Sequence, residues 1–227
     1  MSREATDPVV AIDGPAGSGK STVARALARS LGWTYLDTGA IYRTLGWLAH
    51  QEGVSVDDEE ALVKLCGRLQ DLSFKWGEDG VLLVFLGDRD VTEAIRGEEA
   101  GRWASDVSRH PGVRAALLDL QRSFARRGHL VTEGRDTGTV VFPRARWKFF
   151  LTASLEERAR RRLREMGMEE TPRNLAVVME AMRERDLQDS TRPVAPLRRA
   201  EDALEVDTTD LSPDEVLAHI KQIVEGE

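Results

Sequence analysis

A glycine-rich segment near the N-terminus has residue types and spacing suited to binding phosphate. Gly14, Gly19, Lys20 and Ser21 match Gly-x-x-x-x-Gly-Lys-Ser, between an apolar run and a helix-like pattern. Glycines let backbone N–H groups face a phosphate, the helix start adds a positive dipole end, and the lysine can reach the β- and γ-phosphates. The segment predicts an ATP site with Mg²⁺, formed by Gly14, Pro15, Ala16, Gly17, Ser18, Gly19, Lys20, Ser21 and Thr22.

Three oxygen-bearing side chains are candidates for holding the Mg²⁺. The Ser21 hydroxyl follows the lysine directly and suits the metal. Glu133 ends a predicted buried strand, where an acidic residue can hold Mg²⁺ through water. Asp13 ends the first strand and is a further candidate, although a plain turn or cap role explains it nearly as well.

Arginine is concentrated downstream of this segment. Arg135 and Asp136 follow a predicted buried strand, at the carboxyl end where open α/β sheets bind ligands. Arg43 follows the second strand at the same edge if the strands are parallel, and a solvated helix arginine is the alternative. In the polar stretch 185–192, guanidinium groups can fork onto a phosphate and Asp189 can accept from sugar hydroxyls. A salt-bridged loop is the alternative there.

Five arginines crowd one predicted helix: Arg158, Arg160, Arg161, Arg162 and Arg164. Helical geometry puts Arg158, Arg161 and Arg162 on one face. The stretch Met166–Arg173, which contains a glycine and a proline, has the pattern of a hinge. A mobile cationic lid over the triphosphate and a solvated charged face are equally good interpretations of any one of these arginines.

Composition limits the class of protein. The chain has 227 residues, 41% hydrophobic and 31% charged, with a net charge of −7. This suits an α/β domain with a sizeable core and argues against general affinity for nucleic acid or anionic membranes. One cysteine, Cys66, excludes an internal disulfide, and the scattered histidines show no metal-ligand spacing. Met1–Asp7 lacks the apolar core of a signal peptide and no run is long enough to span a membrane, so a cytoplasmic protein is expected. No long exposed apolar stripe argues for an obligate dimer, so a monomer is expected.

The elements that would position these residues alternate strand and helix. Strands are predicted at Val9–Ile12, Trp33–Leu36, His129–Thr132, Trp147–Leu151 and Ala203–Val206. Helices are predicted at Lys20–Leu31, from Ile41, after Asp58, at Glu98–Ser108 and Gly112–Arg126, and after the capping residues Ser154 and Ser212. Between Leu72 and Val91 the pattern indicates a small antiparallel sheet with a turn at Gly77–Gly80. An antiparallel meander does not belong to a series of alternating βαβ units, so it is interpreted as an insert.

Four motifs together resemble the bacterial cytidylate kinase family. They are Gly14–Thr22, Leu36–Arg43, Glu133–Pro143 and Arg185–Leu197. The resemblance covers nearly the whole chain from about Val9. The first motif is shared by many enzymes, whereas Gly-Arg-Asp-x-Gly-Thr-Val-Val-Phe-Pro and the β-rich insert are far more specific. Thr38 and Glu133 stand where serine and aspartate are frequent, which keeps the hydroxyl and the charge.

The resemblance implies a P-loop fold of three layers with a five-stranded parallel sheet, a helical lid and an enlarged monophosphate-binding insert. The core would cover about residues 1–66, 127–157 and 190–227, the insert about 67–126 and the lid about 158–189. The implied activity belongs to pyrimidine nucleotide metabolism: ATP and CMP or dCMP give ADP and CDP or dCDP, with Mg²⁺.

The resemblance also implies roles by position. The acceptor phosphate would be bound by Arg43, Arg135 and Arg192. The cytosine would be bound by Ser105, Arg114 and Asp136, and the sugar by Arg185 and Asp189, with Thr38 also in the substrate site. Charge that develops during transfer would be stabilised by Lys20, Arg135, Arg158 and Arg162. A carboxylate such as Asp136 can accept from the cytosine N4 amino group, which uracil replaces with an acceptor.

Two other functions compete with this one. The first is a kinase for another small acceptor, such as UMP, AMP or shikimate, and the β-rich insert and the arginine–aspartate groups argue against it. The second is a nucleotide-binding switch without an acceptor. The second group of arginines argues against a switch, because one triphosphate does not need two phosphate sites.

Overall fold

The computed structural model describes residues 7–78 and 80–226. Residues 1–6 of the N-terminal stretch, and Asp79 in the predicted hairpin turn, lie outside the described residues. Contacts divide the chain into two compact units, one formed by Met1–Tyr35 with Gly128–Glu227 and the other by Leu36–Arg127. Each unit is described on its own below. Among the described residues, no helix combines the length and the apolar character that crossing a membrane requires.

The described strands and helices follow the chain in a regular order. The strands are β1 (Asp7–Asp13), β2 (Thr34–Asp37), β3 (Leu72–Trp76), β4 (Leu82–Leu86), β5 (Arg89–Asp90), β6 (Leu130–Gly134), β7 (Ala145–Thr152) and β8 (Leu204–Asp207). The helices are α1 (Lys20–Leu31), α2 (Thr38–Gln51), α3 (Glu59–Cys66), α4 (Gly97–Ser108), α5 (Pro111–Ser123), α6 (Leu155–Glu165), α7 (Pro172–Thr191) and α8 (Pro213–Gly226).

Within the described part of the chain, five strands form one parallel sheet in the order β2-β6-β1-β7-β8. Their apolar runs are continuous because a parallel sheet covered on both faces buries every side chain of its central strands. All five residues of β6 are buried. The register sets Asp13 beside Gly134 of β6 and beside Phe150 of β7, so the polar residues that follow β1 and β6 meet at one edge. The predicted five-stranded parallel sheet is confirmed.

Helices cover this sheet. The buried side of α1, which includes Val23 and Leu27, packs on β6 and on α8. Ser154 caps α6 through its hydroxyl, which accepts a hydrogen bond of 3.2 Å from the Glu157 N–H. At α8 the capping is reciprocal, because the Glu215 N–H donates to the Ser212 hydroxyl and the Glu215 carboxylate accepts from the Ser212 N–H.

The second unit contains the small sheet, in which β3, β4 and β5 pair antiparallel in that order. Helix α2 packs closely on α4. A Cβ added to Gly46 would lie only 2.4 Å from the Cβ of Trp103, so this contact needs glycine. The predicted antiparallel sheet is confirmed, apart from the turn residue Asp79 that lies outside the described residues.

Two features were not predicted from the sequence. Helix α7 runs on to Thr191, so most of the polar stretch 185–192, for which a salt-bridged loop was the alternative interpretation, is helical. Residues Thr137–Val141 form a single wide turn, in which the Phe142 N–H donates to the Thr137 carbonyl five residues earlier at 2.7 Å. Such π-type turns are rare and are often found at functional sites.

Candidate active site

The glycine-rich loop between β1 and α1 has a backbone that only glycine adopts easily. Gly14, Gly17 and Gly19 have φ values of 148°, 75° and 87°. A Cβ on Gly14 would lie 2.0 Å from the Leu151 carbonyl oxygen, so a larger residue does not fit. Gly19 is the N-cap of α1 and supplies no side chain to the N–H groups of its first turn. This cradle suits an anion such as a phosphate.

Lys20 is buried and folds back over the loop. Its Nζ donates to the Pro15 carbonyl at 2.6 Å and lies 3.3 Å from the Ser18 hydroxyl. Burial, followed by the positive charge of Arg135, lowers the pKa of Lys20 to about 7, although Glu133 acts in the opposite direction. A phosphate would stabilise the charged form of this lysine.

The three metal candidates have different surroundings. Ser21 is exposed in the first turn of α1, and Glu133 is buried and accepts from the Tyr35 hydroxyl at 3.2 Å. The described residues hold no group of three or more His, Cys, Asp or Glu side chains arranged for a metal ion. Mg²⁺ commonly binds through one or two protein oxygens, water and substrate phosphates, so Ser21 and Glu133 fit this mode.

Asp13 has the turn role that the sequence left open. Its Oδ1 accepts from the Thr137 N–H and hydroxyl, both at 2.8 Å, and its Oδ2 accepts from the Gly138 N–H at 2.7 Å. Burial raises the pKa of Asp13 to about 6, although the hydrogen bonds from Gly138 and Thr137 lower it. Both carboxylate oxygens therefore hold the wide turn after β6.

A cluster of arginines and aspartates lies beyond the end of β6. Arg135 Nε donates to Asp189 Oδ2 at 2.9 Å. Arg192 lies 3.8 Å from the other oxygen of Asp189 and 3.7 Å from Asp136 Oδ1, and its Nε donates to the Ala195 carbonyl at 2.6 Å. The cluster therefore joins β6 to the end of α7.

Charge within this cluster is mutually stabilised. Burial would raise the pKa of Asp189, but Arg135, Arg185 and Arg192 outweigh it, so that the pKa is lowered. Burial would likewise lower the pKa of Arg135, but Asp189, together with Glu133 and Asp186, outweighs it and the pKa is raised. The predicted residues Arg135, Asp136, Asp189 and Arg192 are thus brought together, with Arg185 close enough to act on Asp189.

The arginines of α6 divide into an inner and an outer group. Arg158 is buried, pairs with Asp186 at 2.7 Å and donates to the loop carbonyl of Ala16 at 3.1 Å. The solvated-face interpretation is wrong for this residue. Arg162 pairs with Glu165 at 3.1 Å with 35% of its side chain exposed, and the exposed Arg164 pairs with Glu157.

Helices α6 and α7 also pack against the glycine-rich loop. Their shared apolar core contains the buried residues Ala159, Leu163, Val178 and Met182, and Ala16 of the loop packs against it. A Cβ on Gly17 would lie 2.9 Å from the Met182 methyl carbon. The two helices thus touch the loop with both apolar groups and Arg158.

The remaining predicted residues belong to the second unit. Arg43 pairs at 2.7 Å with Asp37, which also caps α2. Arg114 is buried, and its guanidinium carbon lies 5.4 Å from the centre of the Tyr42 ring. Thr38 is buried at the start of α2, and Ser105 is half-buried on α4. The structure therefore places Arg114 against Tyr42 of α2, a neighbour that the sequence reasoning did not name.

Two other partners were not identified from the sequence. Asp186 neutralises Arg158, and Thr137 supplies two of the three donors to Asp13. Asp186 stands in a quoted motif, but no pattern linked it to a residue 28 positions earlier. Thr137 lies 124 positions from Asp13, and only the fold shows the contact.

Comparison with known proteins agrees with this geometry. The chain matches the family model for cytidylate kinase over residues 10–226. A cytidylate kinase of Stutzerimonas stutzeri (strain A1501) is 51% identical over 214 residues, which are 94% of this chain and 93% of that protein. One from Methylococcus capsulatus (strain ATCC 33009 / NCIMB 11132 / Bath) is 50% identical, over 97% of this chain and 98% of that protein. A solved structure of an uncharacterized protein from Eubacterium ventriosum ATCC 27560 shares the fold, with a TM-score of 0.52 at 10% identity and coverage of 96% and 99%.

Proposed function

The chain belongs to the cytidylate kinase family, whose members are phosphotransferases, and on that premise we propose that it transfers the γ-phosphate of ATP to CMP or dCMP. The products are ADP and CDP or dCDP, in pyrimidine nucleotide metabolism. One observation carries the proposal beyond the family name. Asp13, directly before the glycine-rich loop, pairs in register with Gly134, directly before Arg135. The segments that carry Lys20 and Arg135, cations suited to two phosphates, therefore leave the sheet side by side.

The glycine-rich loop would bind the donor. The residues of 14–22 other than Pro15 would supply the N–H groups, and Lys20 would supply the cation. Ser21 with Glu133 would hold Mg²⁺ beside the phosphates. When bound, Mg²⁺ neutralises charge on the β- and γ-phosphate oxygens. Asp13 would reach the metal only through water, because both of its oxygens already accept hydrogen bonds from Thr137 and Gly138.

The arginine–aspartate cluster would bind the acceptor. Arg135 and Arg192 would take the CMP phosphate, with Arg43 as a third cation, because a rigid fork matches phosphate oxygens. Arg185 and Asp189 would hold the sugar. The base would be bound by Asp136, Ser105 and Arg114, with Thr38 also in the substrate site.

Catalysis in this scheme consists of positioning and charge stabilisation. Phosphoryl transfer needs aligned reactants, cations around the transferred group and the exclusion of water. Lys20 and Arg135 would act from the sheet edge, and Arg158 and Arg162 from α6. Arg158 is already held at the loop through Ala16.

The proposed organisation is a core of about residues 1–66, 127–157 and 190–227, an insert of about 67–126 and a lid of about 158–189. The packing of α6 and α7 on the glycine-rich loop supports a lid role for these helices, because they touch the predicted donor site directly. We further propose a cytoplasmic location, which the single cysteine favours, and a monomer, because the sequence has no long exposed apolar stripe that would require a dimer.

A coupled ADP-release assay with CMP, dCMP, UMP, AMP and GMP tests the reaction. We expect turnover with CMP or dCMP to exceed turnover with AMP and GMP by more than about a hundredfold, because unpaired buried polar groups reject the wrong base strongly. Asp136→Ala should erode the preference for CMP over UMP more than it changes the KM for ATP. Faster turnover of AMP or UMP than of CMP, or ATP binding without any acceptor turnover, would contradict the proposal.

A further inference from the structure

Thr208, directly after β8, is a buried threonine whose hydroxyl lies beside the glycine-rich loop. The hydroxyl oxygen is 3.1 Å from the Ser18 carbonyl and 3.0 Å from the Thr152 carbonyl. The Thr152 carbonyl already accepts the Thr208 backbone N–H at 2.8 Å. The hydroxyl has a single proton for these two carbonyls, and the Ser18 carbonyl is the one that belongs to the loop.

Arg161 of α6 orients this threonine. Its Nη1 donates to the Thr208 hydroxyl oxygen at 3.0 Å, its Nη2 donates to the Thr208 carbonyl at 2.5 Å, and its Nε donates to Glu157 at 3.0 Å. A guanidinium has donors only, so the Thr208 hydroxyl must accept from Arg161 and direct its own proton to a carbonyl. The chain Glu157–Arg161–Thr208–Ser18 thus ends on the loop.

The geometry of one peptide bond makes this contact relevant to the nucleotide. The Ser18 carbonyl and the Gly19 N–H belong to the same planar peptide and point in opposite directions. A carbonyl held towards Thr208 therefore turns the Gly19 N–H away from Thr208. Gly19 has a φ of 87°. Because glycine adopts positive and negative φ values about equally well, the backbone at Gly19 does not by itself fix the orientation of this peptide.

We propose that Thr208 and Arg161 are positioning residues, which hold the Ser18–Gly19 peptide in the orientation that binds the phosphates of the donor nucleotide. This inference rests on the proposed function only in taking the donor to be an adenine nucleotide. Neither side chain is assigned a contact with the phosphates. Their effect passes through the loop backbone, so they act on donor affinity and leave acceptor affinity unchanged.

The test compares Thr208→Val with Thr208→Ser, which differ in whether the hydroxyl is kept. MgADP binding is measured by calorimetry, and the KM values for ATP and CMP are measured by steady-state kinetics. We expect Thr208→Val to raise the Kd for MgADP and the KM for ATP about tenfold, through loss of a buried hydrogen bond. Thr208→Ser should restore both constants to within about twofold of the parent. The KM for CMP should stay the same in both variants.

Neighbouring residues provide matched controls. The Thr209 hydroxyl bonds to Asp207 and accepts from the Ser154 N–H, and neither of these groups belongs to the loop. Thr209→Val should therefore bind MgADP like the parent. Arg164 shares the Glu157 acceptor with Arg161, so Arg164→Met controls for Arg161→Met, which should weaken MgADP binding.

The outcomes separate this inference from the proposed function. Unchanged MgADP binding in Thr208→Val, or an equal loss in Thr209→Val, would overturn it. If Thr208→Val does not fold, Arg161→Met decides the matter, because parent-like MgADP binding there also refutes the inference. A parent protein that binds MgADP but does not phosphorylate CMP would refute the proposed function alone.

Discussion

Raising the pH from 7.5 to 9 should weaken MgADP binding, because Lys20 would lose its proton in the nucleotide-free protein. Burial and the charge of Arg135 place the pKa of Lys20 at about 7, below its ordinary value of 10.5. A bound phosphate favours the charged lysine, so binding above pH 7 must take up a proton. The nucleotide phosphates are already ionised over this range, since a phosphate monoester has a second pKa of about 6.

The size of the effect follows from the fraction of charged lysine. With a pKa of about 7, that fraction falls on the order of tenfold to thirtyfold between pH 7.5 and 9, which corresponds to roughly 1 to 2 kcal/mol of binding free energy. Calorimetric titration of MgADP at four pH values would measure the change in Kd. Titrations in buffers with different ionisation enthalpies would count the protons taken up.

Two variants make the pH dependence specific to Lys20. Lys20→Arg replaces the lysine with a side chain that stays charged throughout this range, so its Kd should change little with pH. Lys64→Met removes an exposed lysine that pairs with Glu60, and it should follow the parent. A Kd for the parent that is constant from pH 7.5 to 9, or an equally steep change in Lys20→Arg, would refute the reasoning.

Further expected outcomes concern the loop and the arginine–aspartate cluster. Gly14→Ala should lower the free energy of unfolding in urea by about 3 kcal/mol or more, through backbone strain and overlap with a carbonyl of β7. Gly32→Ala, at φ 66° with nothing within 4 Å, should cost only about 1 to 2 kcal/mol, and equal losses would contradict the overlap argument. Asp189→Asn should destabilise by about 3 kcal/mol because Arg135 loses its counter-charge, and an unchanged urea midpoint would argue against this pair. Arg192→Lys should lower turnover more than about tenfold through loss of the guanidinium fork, and unchanged kinetics would remove Arg192 from the site.

The parallel sheet and its helices could be predicted from local patterns. Buried apolar runs mark β1, β6 and β7, and capping residues mark the start of α6 and α8. The antiparallel sheet of the second unit was visible because turn residues separate short apolar runs. These features depend on neighbours in sequence, so a sequence contains the information that fixes them.

The end of α7 and the wide turn after β6 depend on distant residues and could not be predicted. The stretch 185–191 is polar and has no apolar face, and the pairing of its Asp189 with Arg135 ties it to β6. Four of the five residues in Thr137–Val141 are β-branched, which favours a strand over a helix-like turn. The carboxylate of Asp13 accepts from the N–H groups at the start of this turn.

The candidate site also contains features that the sequence could predict and features that it could not. The sequence placed Arg135, Asp136, Asp189 and Arg192 in one predicted site, and the structure groups them. It could not separate the inner Arg158 from the outer arginines of α6, because all of them follow the same charged pattern. Their surroundings come from Asp186 and from the glycine-rich loop, which pack against α6 only in the fold.

The three hydrogen bonds to Asp13 have a consequence for protein engineering. Asp13 immediately precedes the glycine-rich loop, and the turn that it holds immediately follows Arg135 and Asp136. The proposed donor segment and the proposed acceptor segment therefore cannot be exchanged independently of each other. A chimera that takes the segment after β6 from a kinase with another acceptor should keep its function only if the residue at position 13 and its partner at 137 are transplanted together.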